Sequence, residues 1–239
     1  MGEREQLGSM MGGGEGPEAV PAATVVLARQ HEHGHPEVLM LHRDSRLSFA
    51  GGLWVFPGGR VDPGDHVDDP DAGPSLQLAE ERAAIREAFE ESGLELAVGD
   101  LIRYSHWTPP PQAHKRFSTA FFVAPAPKGD VTIDDGEIRD HRWVSPTEAL
   151  ASHQRNEIEL APPTFITLTY LSAAASLDEL LQIARRGPIE HFTTQIVDIN
   201  GQIAALYHGD VGYDGADPGA EGPRHRLWLD PAGWRYERR

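Results

Sequence analysis

Two nearly continuous apolar runs, Thr24–Arg29 (TVVLAR) and Glu37–Leu41 (EVLML), have the pattern of strands covered on both faces, joined by the polar loop 30–36. Leu53 to Asp65 (LWVFPGGRVDPGD) reads as a short apolar strand running into a Pro-Gly-Gly turn, with a second turn at Pro63-Gly64-Asp65. After the acidic loop 66–74, Ser75 is placed to cap a helix that runs to Ser92, with Gly93 as its stop. Phe117–Ala124 (FSTAFFVA) and Arg139–Val144 (RDHRWV) read as strands, and Pro146–Ala151 as a short helix. Further on, Pro163 opens an apolar helix, and Ser176 with Glu179 forms a capping box for another that Gly187-Pro188 ends. Asn200-Gly201 between TTQIVDI and QIAALYH signals a hairpin, and HRLWL closes the chain with one more strand. Interleaved strands and helices predict an α/β (α+β) class.

The pattern also predicts three regions. Residues 1–20 are glycine-rich with few large apolar groups, and are expected to form a disordered tail. Residues 21–155 form the expected main domain, and 156–239 a helical and hairpin extension packed on it.

Composition narrows the chemistry. The 239 residues hold no Cys, which excludes disulfide staples, thiolate nucleophiles and cysteine-type metal sites. With 37 acids against 21 Lys and Arg, the net charge of −16 argues against duplex nucleic acid or an anionic membrane as partner. No apolar run has the length of a membrane span, and MGEREQLG lacks the apolar core of a signal peptide, so a soluble, cytoplasmic protein is expected. His31, His33 and His35 crowd one loop; a solvated hairpin tip accounts for them better than a metal patch, because nothing anchors the rings.

The informative segment is Arg86-Glu87-Ala88-Phe89-Glu90-Glu91-Ser92-Gly93-Leu94. On a helical wheel, Leu78, Ile85, Ala88, Phe89 and Ser92 gather on one side, while Glu87, Glu90 and Glu91 fall within an arc of about 100° opposite. The expectation is an apolar stripe against a sheet and three carboxylates projecting from the exposed face. Such like charges repel unless a cation joins them, and a hard ion such as Mg²⁺ is suited to carboxylate oxygens. An ordinary solvated amphipathic helix would show the same pattern.

The upstream turn decides between these readings. Phe56-Pro57-Gly58-Gly59 to Asp65, followed by Arg86 to Leu94, resembles the Nudix box, G-x5-E-x7-R-E-U-x-E-E-x-G-U with U apolar. Gly59, Arg86, Glu87, Ala88, Glu90, Glu91, Gly93 and Leu94 match. Asp65 stands where the family has Glu, and 20 residues in place of seven separate it from Arg86. An insertion here is a feature of the acyl-coenzyme A diphosphatase branch of peroxisomal type. Pro21–Arg29, His106-Trp107-Thr108-Pro109, Arg116–Phe122 and Leu160–Pro163 are similar to landmarks of the same branch. Ser118, Ala120, Ser48 and Asp44 depart from its patterns, whereas Arg43 and Gly52 match.

The resemblance implies a Nudix fold, a mixed sheet between helices in an α/β/α arrangement. It implies a hydrolase of a nucleoside diphosphate linked to another moiety, with coenzyme A or acyl-coenzyme A as first substrate. ADP-ribose or a dinucleotide is the alternative, and a non-catalytic ligand-binding regulatory module the alternative of another class. The implied cofactor is Mg²⁺ (or Mn²⁺), held by Glu87, Glu90, Glu91, the Gly58 carbonyl, and Glu137, which stands six residues before Trp143. Arg86 would orient the carboxylates, and Glu87, Glu90 and Glu137 are candidates for the catalytic base. Arg43 and Arg116 suit phosphate contacts, or are plain surface cations. Phe56 and Trp107 suit stacking on a base or lining an acyl pocket, or are core residues. The extension either covers the substrate cleft or forms a homodimer surface.

Overall fold

The computed structural model describes residues 16–239 apart from 33, 48, 67, 70–72 and 134–135, with backbone alone at 68, 69, 73 and 74. The tail up to residue 15, His33 and Ser48 lie outside the described residues. The chain forms two compact units, one of 21–106 and 119–190, the other of 16–20, 107–118 and 191–239.

In the first unit, β1 (Val20–Gln30) and β2 (Pro36–Arg43) pair antiparallel, with Ala28 opposite Val38. Val25–Ala28 and Val38–Leu41 are fully buried, as runs without polar alternation require. β3 (Trp54–Val55) adds to β2, and β4 (Gly58–Arg60) adds to β1. The Pro-Gly-Gly turn expected there therefore continues as a strand. A Cβ on Gly58 would stand 2.7 Å from Cα and Cβ of Thr24, so only glycine packs this closely on β1.

A 3-10 turn over Pro63–Asp65 and the short ladder of β5 (Asp68–Asp69) with β6 (Gly73–Pro74) lead into α1 (Leu76–Ser92). Ser75 Oγ accepts the Leu78 N–H at the helix start, and Gly93 at φ 71° ends it. The remaining strands are β7 (Ile102–Thr108), β8 (Phe117–Pro125) and β9 (Ile138–Val144), and the sheet runs β7-β8-β1-β2-β3 with β9 also on β2. Polar residues hide β7 in the sequence. Arg103 is accommodated because it reaches Glu80 of α1 at 2.6 Å and lies over the Phe122 ring.

One face of the sheet packs Leu39, Leu41, Phe122 and Ile138 against Ala83, Ala84 and Ala88 of α1. Three more helices follow, α2 (Pro146–Gln154), α3 (Pro162–Leu171) and α4 (Leu177–Arg185); α2 and α4 lie against β2 and are capped by Ser145 and Ser176. The result is an α+β fold with a mixed sheet; a parallel bridge joins Trp54 to Leu160. Among the described residues no helix is long and apolar enough to cross a membrane.

The second unit contains most of β10 (Glu190–Thr193), and a sheet in the order β11 (Gln195–Ile199), β12 (Gln202–Leu206), β13 (His225–Trp228), β14 (Arg235–Arg238). Asn200 and Gly201, both at positive φ, make the hairpin turn between β11 and β12. The long loop that follows is anchored by Asp210. Its carboxylate accepts Arg226 Nε and Nη2 at 2.7 and 2.6 Å, and the N–H groups of His225 and Gly212 at 2.9 Å. Both side chains are buried.

Burial alone would raise the Asp210 carboxyl, but these four donors hold it below its ordinary value. Its contribution to stability is therefore present above the unfolded value of about 3.9 and is lost as pH falls below it. Asp210→Asn, which strands the Arg226 charge, should lower the urea-unfolding free energy at pH 7 by about 3–5 kcal/mol. The gap between wild type and variant should narrow progressively once the pH drops under about 4.

Candidate active site

The turn between β3 and β4 is pinned from behind. Thr24 Oγ1 donates to Pro57 O at 2.6 Å and Val25 N–H donates to the same oxygen at 2.9 Å. This leaves the Gly58 N–H facing α1, where it donates to Glu91 Oε2 at 2.9 Å. The adjoining Gly59 lies so near the helix that a Cβ there would stand 2.3 Å from Glu87 Oε1. The two glycines thus set the turn directly against two carboxylates.

Arg86 is saturated. Its Nε and Nη2 hold Asp65 at 3.1 and 2.9 Å, Nη2 also donates to Arg60 O at 3.0 Å, and Nη1 bridges Glu87 at 2.8 Å and Glu90 at 3.2 Å. These contacts match the five N–H groups of a guanidinium, a geometry that lysine cannot reproduce. Asp65 also accepts the Asp62 N–H, closing the 3-10 turn. Arg43, at the end of β2, bridges the other two acids, with Nη1 3.1 Å from Glu91 and Nη2 2.6 Å from Glu137. Its buried Nε makes no hydrogen bond.

The sequence-predicted carboxylates Glu87, Glu90, Glu91 and Glu137 are therefore brought together, as two arginine-bridged pairs. Each pair joins a sheltered acid to an open one: the side chains of Glu90 and Glu137 are both 55% exposed, that of Glu91 only 7%. Burial pushes the Glu91 carboxyl up to about 8, against the opposing pull of the Gly58 N–H and Arg43. Burial likewise raises Glu87, against Arg86. Asp65 is the reverse case; Arg86 and the Asp62 N–H outweigh burial and hold it below the ordinary range.

One expectation about the helix is corrected. Glu91 does not project from an exposed acidic face, and Phe89 does not enter the core, being half exposed. The buried stripe is Ala79, Glu80, Ala83, Ala84, Ala88, Glu91 and Ser92. Glu91 lies seven residues beyond Ala84, hence within about 20° of it around the helix. Small alanines let the helix approach the sheet closely, which a stripe of Leu78, Ile85 and Phe89 would prevent. The run of alanines was the signal for this face.

Phe56, Trp107 and Arg116 have other neighbours. Phe56 is enclosed, its ring edge-on to Phe121 at 6.5 Å. Trp107 belongs to the second unit, where it is buried and stacked on Phe192 at 3.8 Å. Arg116, in that same unit, donates to the carbonyls of Pro17 and Pro109. Gly58, whose carbonyl is expected as a ligand, does lie beside the carboxylates, its N–H serving Glu91. Among the described residues no three His, Asp or Glu side chains converge as a ready-made metal cage.

A family model for the NUDIX domain matches residues 19–163. An acyl-coenzyme A diphosphatase NUDT19 from Xenopus laevis is 24% identical over 268 aligned positions, which span 66% of this chain and 70% of the frog protein. Its Gallus gallus counterpart is 28% identical over 148 positions, spanning 55% of this chain and 39% of the chicken protein. A NUDIX hydrolase structure from Alicyclobacillus acidocaldarius superposes with a TM-score of 0.61 at 23% identity, covering 72% of this chain and 99% of that one, a likeness of fold. With more than half of its length matched by the family model, the chain belongs to the NUDIX domain family.

Proposed function

We propose that this Nudix-family enzyme is a Mg²⁺- or Mn²⁺-dependent diphosphatase acting on a nucleoside diphosphate joined to another moiety, with coenzyme A or an acyl-coenzyme A as substrate. The observation that carries the reading is the bridging of four carboxylates by two guanidinium groups beside the Gly58-Gly59 turn. The donor set fits a hard divalent ion: all four are carboxylates, and two are open to solvent. Mg²⁺ is commonly held by one or two carboxylates, with water and substrate phosphate completing its shell, so an open arrangement suits it better than a closed cage. Glu87, Glu90, Glu91 and Glu137 would hold it. When bound, such an ion supplies charge neutralisation on the diphosphate and a water of lowered pKa.

The chain's own residues supply the rest. Arg86, with every N–H engaged, fixes Glu87 and Glu90 relative to the Asp65 turn. Glu91 anchors α1 to the Gly58 amide. A carboxylate oxygen of Glu87, Glu90 or Glu137 accepts the proton of the attacking water. Arg43 does for Glu91 and Glu137 what Arg86 does for Glu87 and Glu90, holding one with each terminal nitrogen. The substrate assignment is supported by the frog and chicken relatives, both named as acyl-coenzyme A diphosphatases.

The test is product release from coenzyme A, octanoyl-coenzyme A, ADP-ribose and diadenosine tetraphosphate with Mg²⁺, and ¹⁸O incorporation from labelled water to locate the attacked phosphorus. Turnover should be highest on one of the coenzyme A compounds and should stop on chelation. Preference for ADP-ribose or the dinucleotide would reassign the substrate, and binding without release would mark a regulatory module. Glu90→Gln should lower kcat by more than about 100-fold, the upper end for residues that merely orient a ligand. Full turnover in that variant would refute the site.

The glycines give a second, separable prediction. In Gly58→Ala the added Cβ meets backbone, 2.5 Å from Ala23 O, and should cost about 1–3 kcal/mol of stability. Gly59→Ala meets only the tip of Glu87. It should melt near the wild-type temperature while losing most activity, because Glu87 must move aside.

A further inference from the structure

β9 does not run evenly alongside β2. Leu41 faces His141 and His42 faces Asp140, but Arg43 faces Ile138, so Arg139 is an extra residue in the ladder, a β-bulge. The bulge changes which way the strand's side chains point. Asp140 and Arg142 line a cavity of about 440 Å³ with His42 and Trp54, Arg142 lying 3.9 Å above the Trp54 ring. Ile138, two positions before Asp140, is instead buried in the cluster shared with Leu41, Ala84 and Ala88 of α1. In an unbroken strand residues two apart share a face, so Ile138 would follow Asp140 toward the cavity. The extra residue therefore turns Ile138 toward α1. It also sets the backbone from which Glu137 reaches Arg43.

Arg139 is held by Asp44. The Asp44 carboxylate is buried and accepts both Nε, at 2.7 Å, and Nη2 of Arg139. It also accepts the N–H, Nε and Nη2 of Arg46 within its own loop. The Asp44 N–H donates to Glu137 O at 2.8 Å, fastening the same residue to the backbone of the carboxylate cluster. Arg43 meanwhile grips the Glu137 side chain from the adjoining position. Consecutive residues of β2 and the loop after it thus hold Glu137 by side chain, by carbonyl and, through Arg139, by strand register.

We propose that Asp44 is a positioning residue for Glu137, its carboxylate locking Arg139 in the bulge that delivers Glu137 to Arg43 and the other three carboxylates. This rests on the reading of Glu137 as part of the active site. The charge of the carboxylate matters here, because its Oδ2 accepts both Arg139 nitrogens and Nη2 of the Arg46 guanidinium as well.

The experiment compares Asp44→Asn, Arg139→Gln, Arg46→Gln, Glu137→Gln and the Asp44→Asn/Glu137→Gln double variant on the fastest substrate of the panel above with Mg²⁺. Asp44→Asn and Arg139→Gln should each lower kcat by about 10-fold, the scale for residues that orient a catalytic group, with KM moved less than about twofold. Arg46→Gln should stay within about twofold of wild type, because Arg139 keeps its clamp. In the Glu137→Gln background, Asp44→Asn should cost nothing further. A readout without metal or substrate is amide hydrogen exchange over 136–139, which should quicken in Asp44→Asn and Arg139→Gln and not in Arg46→Gln.

Additive losses in the double variant, equal losses in Arg46→Gln and Arg139→Gln, or unchanged exchange would overturn the proposal. Full turnover in Glu137→Gln would overturn the reading beneath it as well. Loss there with a normal Asp44→Asn would overturn the proposal alone. Should Asp44→Asn fail to fold, Arg139→Gln, with a partly exposed side chain, carries the same comparisons.

Discussion

Gathering four acidic side chains, two of them sheltered from water, is the constraint around which the candidate site is built. Two unit charges 4 Å apart interact by about 1 kcal/mol in bulk water and several times that near a low-dielectric interior. Relief comes from two guanidinium groups entering from different elements, Arg86 from the helix and Arg43 from β2. Their geometry dictates much else. Arg86 needs Asp65 and the Arg60 carbonyl to use its remaining N–H groups, which fixes the 3-10 turn; Arg43 needs β2 to end beside α1.

The same constraint explains how an inserted segment and a shortened acid are tolerated between the glycines and the helix. Asp65 is one methylene shorter than Glu, yet it receives two Arg86 nitrogens, because Pro63 opens a tight turn that brings its carboxylate inward. The chain beyond leaves by the β5–β6 ladder and returns at Ser75, where the helix starts. The extra residues are spliced in downstream of the ion pair and leave it intact.

The elements carried by local chemistry were legible in the sequence. Unbroken Val/Leu runs mark β1 and β2, Ser75 and Gly93 bound α1, and Asn200-Gly201 bends the hairpin, each through forces acting within a few residues. The association of Glu87, Glu90 and Glu91 was also legible, from helical spacing and the family pattern. What escaped depends on partners distant in the chain. β7 looks too polar for a sheet until Glu80 neutralises Arg103. Glu91 looks exposed until Gly58 and Arg43 are seen to receive it. Trp107 and Phe56 suggested a binding surface, because an aromatic ring has the same sequence signature whether it stacks on a ligand or on Phe192.

Arg86 and Arg43 lie on opposite sides of a division between rigidity and availability. A guanidinium with all five N–H groups engaged cannot bond a substrate without losing a contact that holds the fold, so Arg86 is committed to geometry. Arg43 retains a buried, unbonded Nε, and leaving a buried donor unmade costs about 1–3 kcal/mol. A fold does not keep such a cost where side-chain rotation can remove it. Here rotation would release Glu91, whose burial already disfavours its charge. The donor is therefore left unbonded by the very pairing that stabilises the cluster. The unmade hydrogen bond is thus part of what it costs to hold Glu91 and Glu137 on one guanidinium.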